Sequence, residues 1–357
     1  MKKLFIFSFL AFGIISVMLV TFACEGDGVL EEIDWGELIG HYPADPNDAV
    51  PGKEYYYTIY DDEGVNESDI SYLAGNLPII ISVPHGGNKV PNCTGSPSNN
   101  PNGDTNTAPL GYLIKEQIFQ DTGGYPHIIF ARIHRKKIDL NRDKKSKWEG
   151  STDYERVRTA WYDFHRFIDQ AKTIAIQQTA NICRNSKCGL GFYIDLHGHP
   201  TNPLIIIGFG LTGSQLRNSE SYINGKVDDS SLRDLYNRFN LTGGSFVDFI
   251  RGENSFGGFL DNHIIDLNLD DNAEPVPSPR KPEPGNTYYG GYYNIYRHGN
   301  IYEAFENDFT QISGIQLECC TNVRKNVANR ENFSKSVGKA LVNYFDVQYD
   351  LDLSDLN

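Results

Sequence analysis

Leu77-Pro78-Ile79-Ile80-Ile81-Ser82-Val83 runs directly into Pro84-His85-Gly86-Gly87. The first part is apolar and rich in isoleucine, the pattern of a buried strand. The two glycines after the histidine let backbone and ligand approach the imidazole closely. Other segments repeat the pattern. His127-Ile128-Ile129-Phe130-Ala131-Arg132-Ile133 reads as a second strand and Gly191-Phe192-Tyr193-Ile194-Asp195-Leu196 as a third. Pro203 to Phe209 is a fourth, and Ile312 to Leu317 another. Between them lie helical patterns at Leu110 to Phe119, Tyr154 to Thr179 and Phe333 to Phe345. The long one carries Val157, Trp161, Phe164, Phe167 and Ile168 on one stripe. Strands alternating with helices predict an α/β fold, a largely parallel sheet between helices. No internal repeat interrupts it.

Composition narrows the function. Lys+Arg is 32 and Asp+Glu is 46, a net charge of −14 over 357 residues. A nucleic-acid-binding surface is basic, so a nucleic-acid partner is excluded. Hydrophobic residues make up 39% and aromatics 12%, enough for a core rather than a disordered chain.

The ends read differently from the middle. Residues 1–24 hold Lys2 and Lys3, an apolar run from Leu4 to Val20, and Thr21-Phe22-Ala23-Cys24. That layout predicts a secretory signal peptide, with a membrane anchor as the alternative. Ala23-Cys24 is similar to a bacterial lipobox, which makes Cys24 a candidate lipid anchor. The expected location is extracytoplasmic, as a secreted protein or a membrane-anchored lipoprotein. We expect an N-terminal extension over 25–74, a catalytic domain over 75–345 and a frayed acidic tail over 346–357. The segment 270–288, rich in Pro, Asn, Asp and Gly, reads as a long surface loop. Beyond residue 24 the cysteines are Cys93, Cys183, Cys188, Cys319 and Cys320. In an oxidising compartment Cys183 and Cys188 close a small loop; the alternative is two free thiols. Sequons at Asn66, Asn92, Asn240 and Asn332 matter only in a eukaryotic host.

The chemistry falls at the strand ends. His85 follows the first strand. His197 and His199 follow the third, in Asp195-Leu196-His197-Gly198-His199. Arg142 lies beyond the second, in Ile138-Asp139-Leu140-Asn141-Arg142, and Glu318 closes the last, in Gln316-Leu317-Glu318. Open α/β sheets bind ligands outside the carboxyl ends of their strands. Singly, such residues are more often solvated or hydrogen-bonded than functional. Jointly they matter: two histidines and a carboxylate form a catalytic zinc set with one open position. A further Glu outside the coordination sphere can act as general base, and an Arg can bind a carboxylate or an oxyanion.

With these segments quoted, the chain resembles the N-formylglutamate amidohydrolase family. The matching pieces are Pro84-His85-Gly86-Gly87, Asp104-Thr105-Asn106-Thr107 and His134 to Arg142 (His-Arg-Lys-Lys-Ile-Asp-Leu-Asn-Arg). They continue with Trp161-Tyr162-Asp163-Phe164-His165, Asp195-Leu196-His197, Gly290-Gly291-Tyr292, Arg297-His298-Gly299 and Gln316-Leu317-Glu318, in order over residues 75–345. The resemblance implies a three-layer, zinc-carboxypeptidase-like fold with a mixed sheet. It implies zinc-dependent hydrolysis of the amide of a small acidic N-acyl amino acid or peptide. His85 and His197 then stand as zinc ligands. Asp104 is the favoured third ligand, with His199 the competitor. Glu318 takes the place of the general base towards the zinc-bound water. Asn141 and Arg142 bind the substrate carboxylate or the developing oxyanion, and Arg297 and His298 close the pocket. His165 either supports the ligands or packs a helix face, and Asp139 orients Arg142. An exported setting leaves carboxypeptidase-like, γ-glutamyl or cell-wall amide hydrolysis as alternatives. A non-catalytic surface binding protein on the same scaffold is another, with Tyr288, Tyr289, Tyr292 and Tyr293 as an aromatic platform.

Overall fold

The structure, a computed structural model, describes residues 49–60, 67–91, 102–143, 154–180, 189–200, 204–239, 244–266, 273–299 and 312–356. The signal-peptide segment, Cys24, Cys93, Cys183, Cys188 and the sequons at Asn66, Asn92 and Asn240 lie outside them. Among the described residues no helix is long and apolar enough to cross a membrane.

Among the described residues eight strands form one sheet: β1 Glu54–Tyr60, β2 Glu67–Leu73, β3 Ile79–Val83, β4 His127–Ala131, β5 Gly191–Gly198, β6 Leu204–Gly208, β7 Glu274–Val276 and β8 Ile312–Cys319. Their order is β1-β2-β4-β3-β5-β8-β6-β7. The pairs β4–β3, β3–β5, β5–β8 and β6–β7 are parallel, and β1–β2, β2–β4 and β6–β8 antiparallel. The sheet is therefore mixed and largely parallel, with its parallel core in the middle.

Alternation along the central strands sorts side chains to two faces. Ile79, Ile81 and Val83 of β3, with Phe192, Ile194 and Leu196 of β5, join the core on one face. Two helices with apolar stripes cover it: α1 (Thr107–Thr122), through Leu110, Ile114 and Ile118, and the later Val327–Tyr344, through Phe333, Val337 and Leu341. Ile80 of β3 and Tyr193 of β5 point the other way. They meet α2 (Tyr154–Ala180) through Val157, Phe164, Phe167 and Ile168. The stripe expected along this helix is the one buried. A run of short helices follows β6: α3 Gly213–Leu216, α4 Glu220–Asn224, α5 Arg233–Phe239, α6 Phe246–Arg251 and α7 Phe256–Asp266. After β7 come α8 (Tyr293–His298), α9 (Thr321–Lys325) and α10, the Val327–Tyr344 helix. Helices on both faces of a mixed sheet make the three-layer α/β arrangement.

Three expectations need correction. The sheet starts before residue 75, because β1 and β2 of the stretch 25–74 are hydrogen-bonded into it. The segment 270–288 is not all surface loop: Glu274–Val276 pairs with β6, and Pro275, Val276, Pro277 and Ser278 are buried. The stretch 346–356 does not fray, since Gln348, Tyr349 and Leu353 are buried and the Tyr349 ring stacks on Phe345. Apolar anchors hold that acidic end to the body.

Candidate metal centre

The parallel centre of the sheet delivers the site. β3, β5 and β8 are neighbours, so residues at their carboxyl ends meet. His85 lies just past β3. His197 near the end of β5 is the register partner of Glu318 on β8. Asp104 comes from the loop before α1, its amide donating to the His85 carbonyl at 2.9 Å. His85, Asp104 and His197 are buried, and their ligand atoms lie within 4.8 Å of one another.

Hydrogen bonding orients each ring. His85 Nε2 faces Asp139 Oδ1 at 2.7 Å, and His197 Nε2 faces Asp195 Oδ2 at 2.7 Å. A carboxylate only accepts, so each Nε2 carries the proton and donates it. The Asn141 amide nitrogen also stands 3.2 Å from His197 Nε2. The shorter, charged Asp195 contact decides the tautomer. The lone pair of each ring is then on Nδ1, and both point at Asp104 Oδ2, 3.3 Å from His85 and 3.1 Å from His197.

Lone pairs converging on one point repel unless a proton or a cation lies between them. Donors about 2.0–2.2 Å from a tetrahedral zinc stand about 3.3 Å apart. The spacings of 3.1 and 3.3 Å fit that set. An outer carboxylate behind each ring nitrogen is the usual support of metal-binding histidines. The residues present therefore fit a divalent ion.

The outer row is itself secured. Asp139 Oδ2 accepts from Arg135 Nε at 3.1 Å and Nη2 at 3.0 Å. Asp195 Oδ1 accepts from Ser82 Oγ at 2.6 Å and Asn294 Nδ2 at 3.1 Å. When no cation is bound the rings can take a second proton at Nδ1; burial by itself then raises the carboxyl of Asp104, but the charges and hydrogen bonds of protonated His85 and His197 outweigh it and hold the group well below the usual range. Glu318 moves the other way. Burial pushes it up to about 7, although the His197 charge opposes the shift. Its Oε1 accepts from Gln316 Nε2 at 2.8 Å.

These groups open into a cavity of about 720 Å³ whose lining includes His85, Asp104, His197, Glu318, Asn141, Arg142 and Tyr292. Arg135, Arg324 and Lys325 add positive charge to its walls. The Arg142 guanidinium lies 3.7 Å from the Tyr292 ring centroid, and its Nη1 donates to the Asn141 carbonyl at 2.6 Å. Asn141 Oδ1 accepts from the Asn294 amide at 2.8 Å, which ties the loop to α8.

Several expected residues sit differently. His199 lines the cavity but is outside the cluster, and its Nε2 donates to the Leu204 carbonyl at 2.8 Å. Asp139 Oδ2 lies 4.0 Å from Arg142 Nε, and its Oδ1 lies 2.7 Å from His85. Arg297 and His298 do not line this cavity. The buried His298 ring hydrogen-bonds His165 at 2.8 Å and faces Asp169 at 3.3 Å. Arg297 Nη2 lies 3.7 Å from Asp169. Both end α8 where it packs on α2, so they join a polar network behind the site. His165 belongs to that network on the buried face of α2, its ring 4.1 Å from that of Trp161. Burial holds His165 well below its ordinary value. Tyr289 and Tyr292 are exposed at the cavity mouth, whereas Tyr288 is turned inward with its hydroxyl on the Ile207 carbonyl. Asp195, Asn294, Arg135 and Arg324 were not singled out from sequence. Asp195 was within reach, because strand alternation puts it on the His197 side.

Fold and site together define an α/β protein with a buried His/Asp/His cluster suited to a divalent metal. No family model and no curated protein matches the chain. It is similar to a solved N-formylglutamate amidohydrolase from Ralstonia eutropha JMP134, with 12% identity, 76% of this chain and 93% of that chain covered, and a TM-score of 0.39. It is also similar to a solved gene product of Agrobacterium tumefaciens, with 12% identity, 77% and 95% covered, and a TM-score of 0.40. The likeness is one of partial backbone course.

Proposed function

We propose that the protein is a zinc-dependent amidohydrolase that cleaves the amide bond of an N-acyl amino acid of the N-formylglutamate type. The observation that carries this reading is the convergence of His85, Asp104 and His197 beside Glu318 in an open cavity. A divalent ion there would polarise the scissile carbonyl and make water acidic enough to deprotonate near neutral pH. The chain's own residues do the rest. Glu318 Oε1 is held by Gln316, which leaves Oε2 to take the proton of the attacking water and pass it to the leaving nitrogen. Arg142, held flat on Tyr292, binds the substrate carboxylate through its remaining N–H groups. The positive side chains on the cavity wall favour an acidic substrate. On this reading the leader-like first 24 residues direct export and Cys24 is the site of lipidation, so other N-acyl amino acids, γ-glutamyl peptides and cell-wall amides belong in the substrate panel.

The test combines metal analysis with turnover. The purified protein should contain stoichiometric zinc, and the His85→Ala/His197→Ala double variant should not. Glu318→Gln should keep the metal and lose about 10²–10⁴-fold in kcat. Stoichiometric zinc in the double variant would sink the ligand set, and near-normal kcat in Glu318→Gln would sink the base.

A further inference from the structure

Arg324 is buried in α9 and lines the cavity, yet its contacts are to neutral backbone carbonyls. Nε donates to the Cys319 carbonyl at 2.9 Å, Nη2 to the His199 carbonyl at 3.0 Å and Nη1 to the Thr105 carbonyl. The sequence positions of these carbonyls carry the argument. Cys319 follows Glu318, Thr105 follows Asp104, and His199 is two residues past His197. One guanidinium therefore grips three separate segments, each next to a different working residue. The planar fork of arginine has donors that diverge in fixed directions, which a lysine ammonium does not. The guanidinium also packs against Gly198, where an added β-carbon would collide with Arg324 Cζ. The glycine between His197 and His199 is thereby explained as room for the clamp.

We infer that Arg324 is a positioning residue that sets the spacing of Asp104, His197 and Glu318, with Gly198 as its seat. The inference rests on the metal reading above for its consequence, but the clamp itself is a property of the metal-free chain. A purely structural arginine would support the fold as a whole. A clamp would act on the segments it holds and, through them, on metal affinity.

Arg324→Lys, Arg324→Met, Gly198→Ala and the double variant Gly198→Ala/Arg324→Met test it. Two readouts apply to the protein: zinc affinity by competition with a chromophoric chelator, and hydrogen exchange of the metal-free form. Each single variant should bind zinc about 10–100-fold more weakly, the usual cost of losing support behind metal ligands. Exchange should rise in peptides spanning 102–107 and 196–200 and stay unchanged in α2. The double variant should be no worse than Arg324→Met, because the alanine has nothing left to displace. A folded Arg324→Met with zinc affinity within about twofold of the parent overturns the inference, as would additive losses in the double variant or a uniform rise in exchange. If the parent itself binds no zinc, the metal reading fails and the exchange pattern alone decides the clamp.

Discussion

Asp195→Asn probes the site without changing its shape. The Asp195 side chain is fully buried. Its Oδ2 takes the His197 Nε2 proton at 2.7 Å, and its Oδ1 accepts from Ser82 at 2.6 Å and Asn294 at 3.1 Å. An amide has one oxygen to replace two. With that oxygen towards His197, the tautomer survives and the NH₂ turns to Asn294. Among the described residues the Asn294 Oδ1 atom has no hydrogen-bond partner, so its amide can flip to accept. What is lost is then the charge on the hydrogen bond, about tenfold in metal affinity or ~1.4 kcal/mol. With the NH₂ towards His197, Nε2 becomes an acceptor and the ring proton moves to Nδ1, which points at the metal position. A ligand lone pair is then lost, about a hundredfold or ~2.7 kcal/mol. The expected result is a zinc Kd weakened 10–100-fold, read by chelator competition, with ¹⁵N spectra of the imidazoles reporting the tautomer. A folded variant with unchanged Kd and unchanged tautomer would refute the claim that Asp195 fixes His197 for metal binding.

The remaining predictions concern substrate, stability and pH. Arg142→Lys keeps a cation but cannot fork or stack on Tyr292, so KM for an acidic substrate should rise about tenfold or more with a smaller change in kcat; steady-state kinetics with a neutral substrate analogue should show no such rise. Arg156 forms a buried two-point pair with Asp69, at 2.7 and 2.9 Å. Arg156→Met removes that buried pair and should cost about 3–5 kcal/mol in urea unfolding. His127 is held neutral by burial, its pKa pushed down to about 3, and its Nδ1 accepts from Tyr72 and Gly75. The unfolded chain takes up that proton near pH 6.5 and the folded one does not, so this contribution falls as pH drops through the window between the two values. The loss should be about 2 kcal/mol at pH 5 relative to pH 8, and His127→Gln should flatten the profile.

Legibility in the sequence followed hydrophobicity. β3, β4, β5, β6 and β8 announce themselves because apolar residues fill them, and the three strand ends gave His85, His197 and Glu318 from pattern alone. β2 was missed because its buried residues include Ser68, Asp69 and Ser71. They are tolerated there through partners such as Arg156, far along the chain. β7 hid behind a proline at an edge, the position where a strand tolerates one. Asp104 lies on a loop with no periodicity, and a family resemblance rather than spacing singled it out.

The misplaced pair, Arg297 and His298, shows where motif reading stops. Both follow a Gly-Gly-Tyr segment whose Tyr292 does reach the cavity. The intervening α8 then turns the chain down onto α2. Asn294, on its first turn, bonds Asn141 and Asp195 beneath the His/Asp/His cluster, while His298, at its end, reaches His165. The helix thus links the ligand support on one side to a buried polar network on the other. That network holds Lys172, lowered by burial to about 8, and His298, lowered by burial to about 3, around the carboxylate of Asp169. The Asp169 carboxylate faces both Lys172 and Arg297, and burial keeps His165 and His298 neutral, which limits the positive charge buried behind the sheet. On the cavity side the positive charge is carried by Arg135, Arg142, Arg324 and Lys325. The net charge of −14 therefore does not describe the cavity, where these cations stand beside Asp104 and Glu318 and give the wall local positive charge.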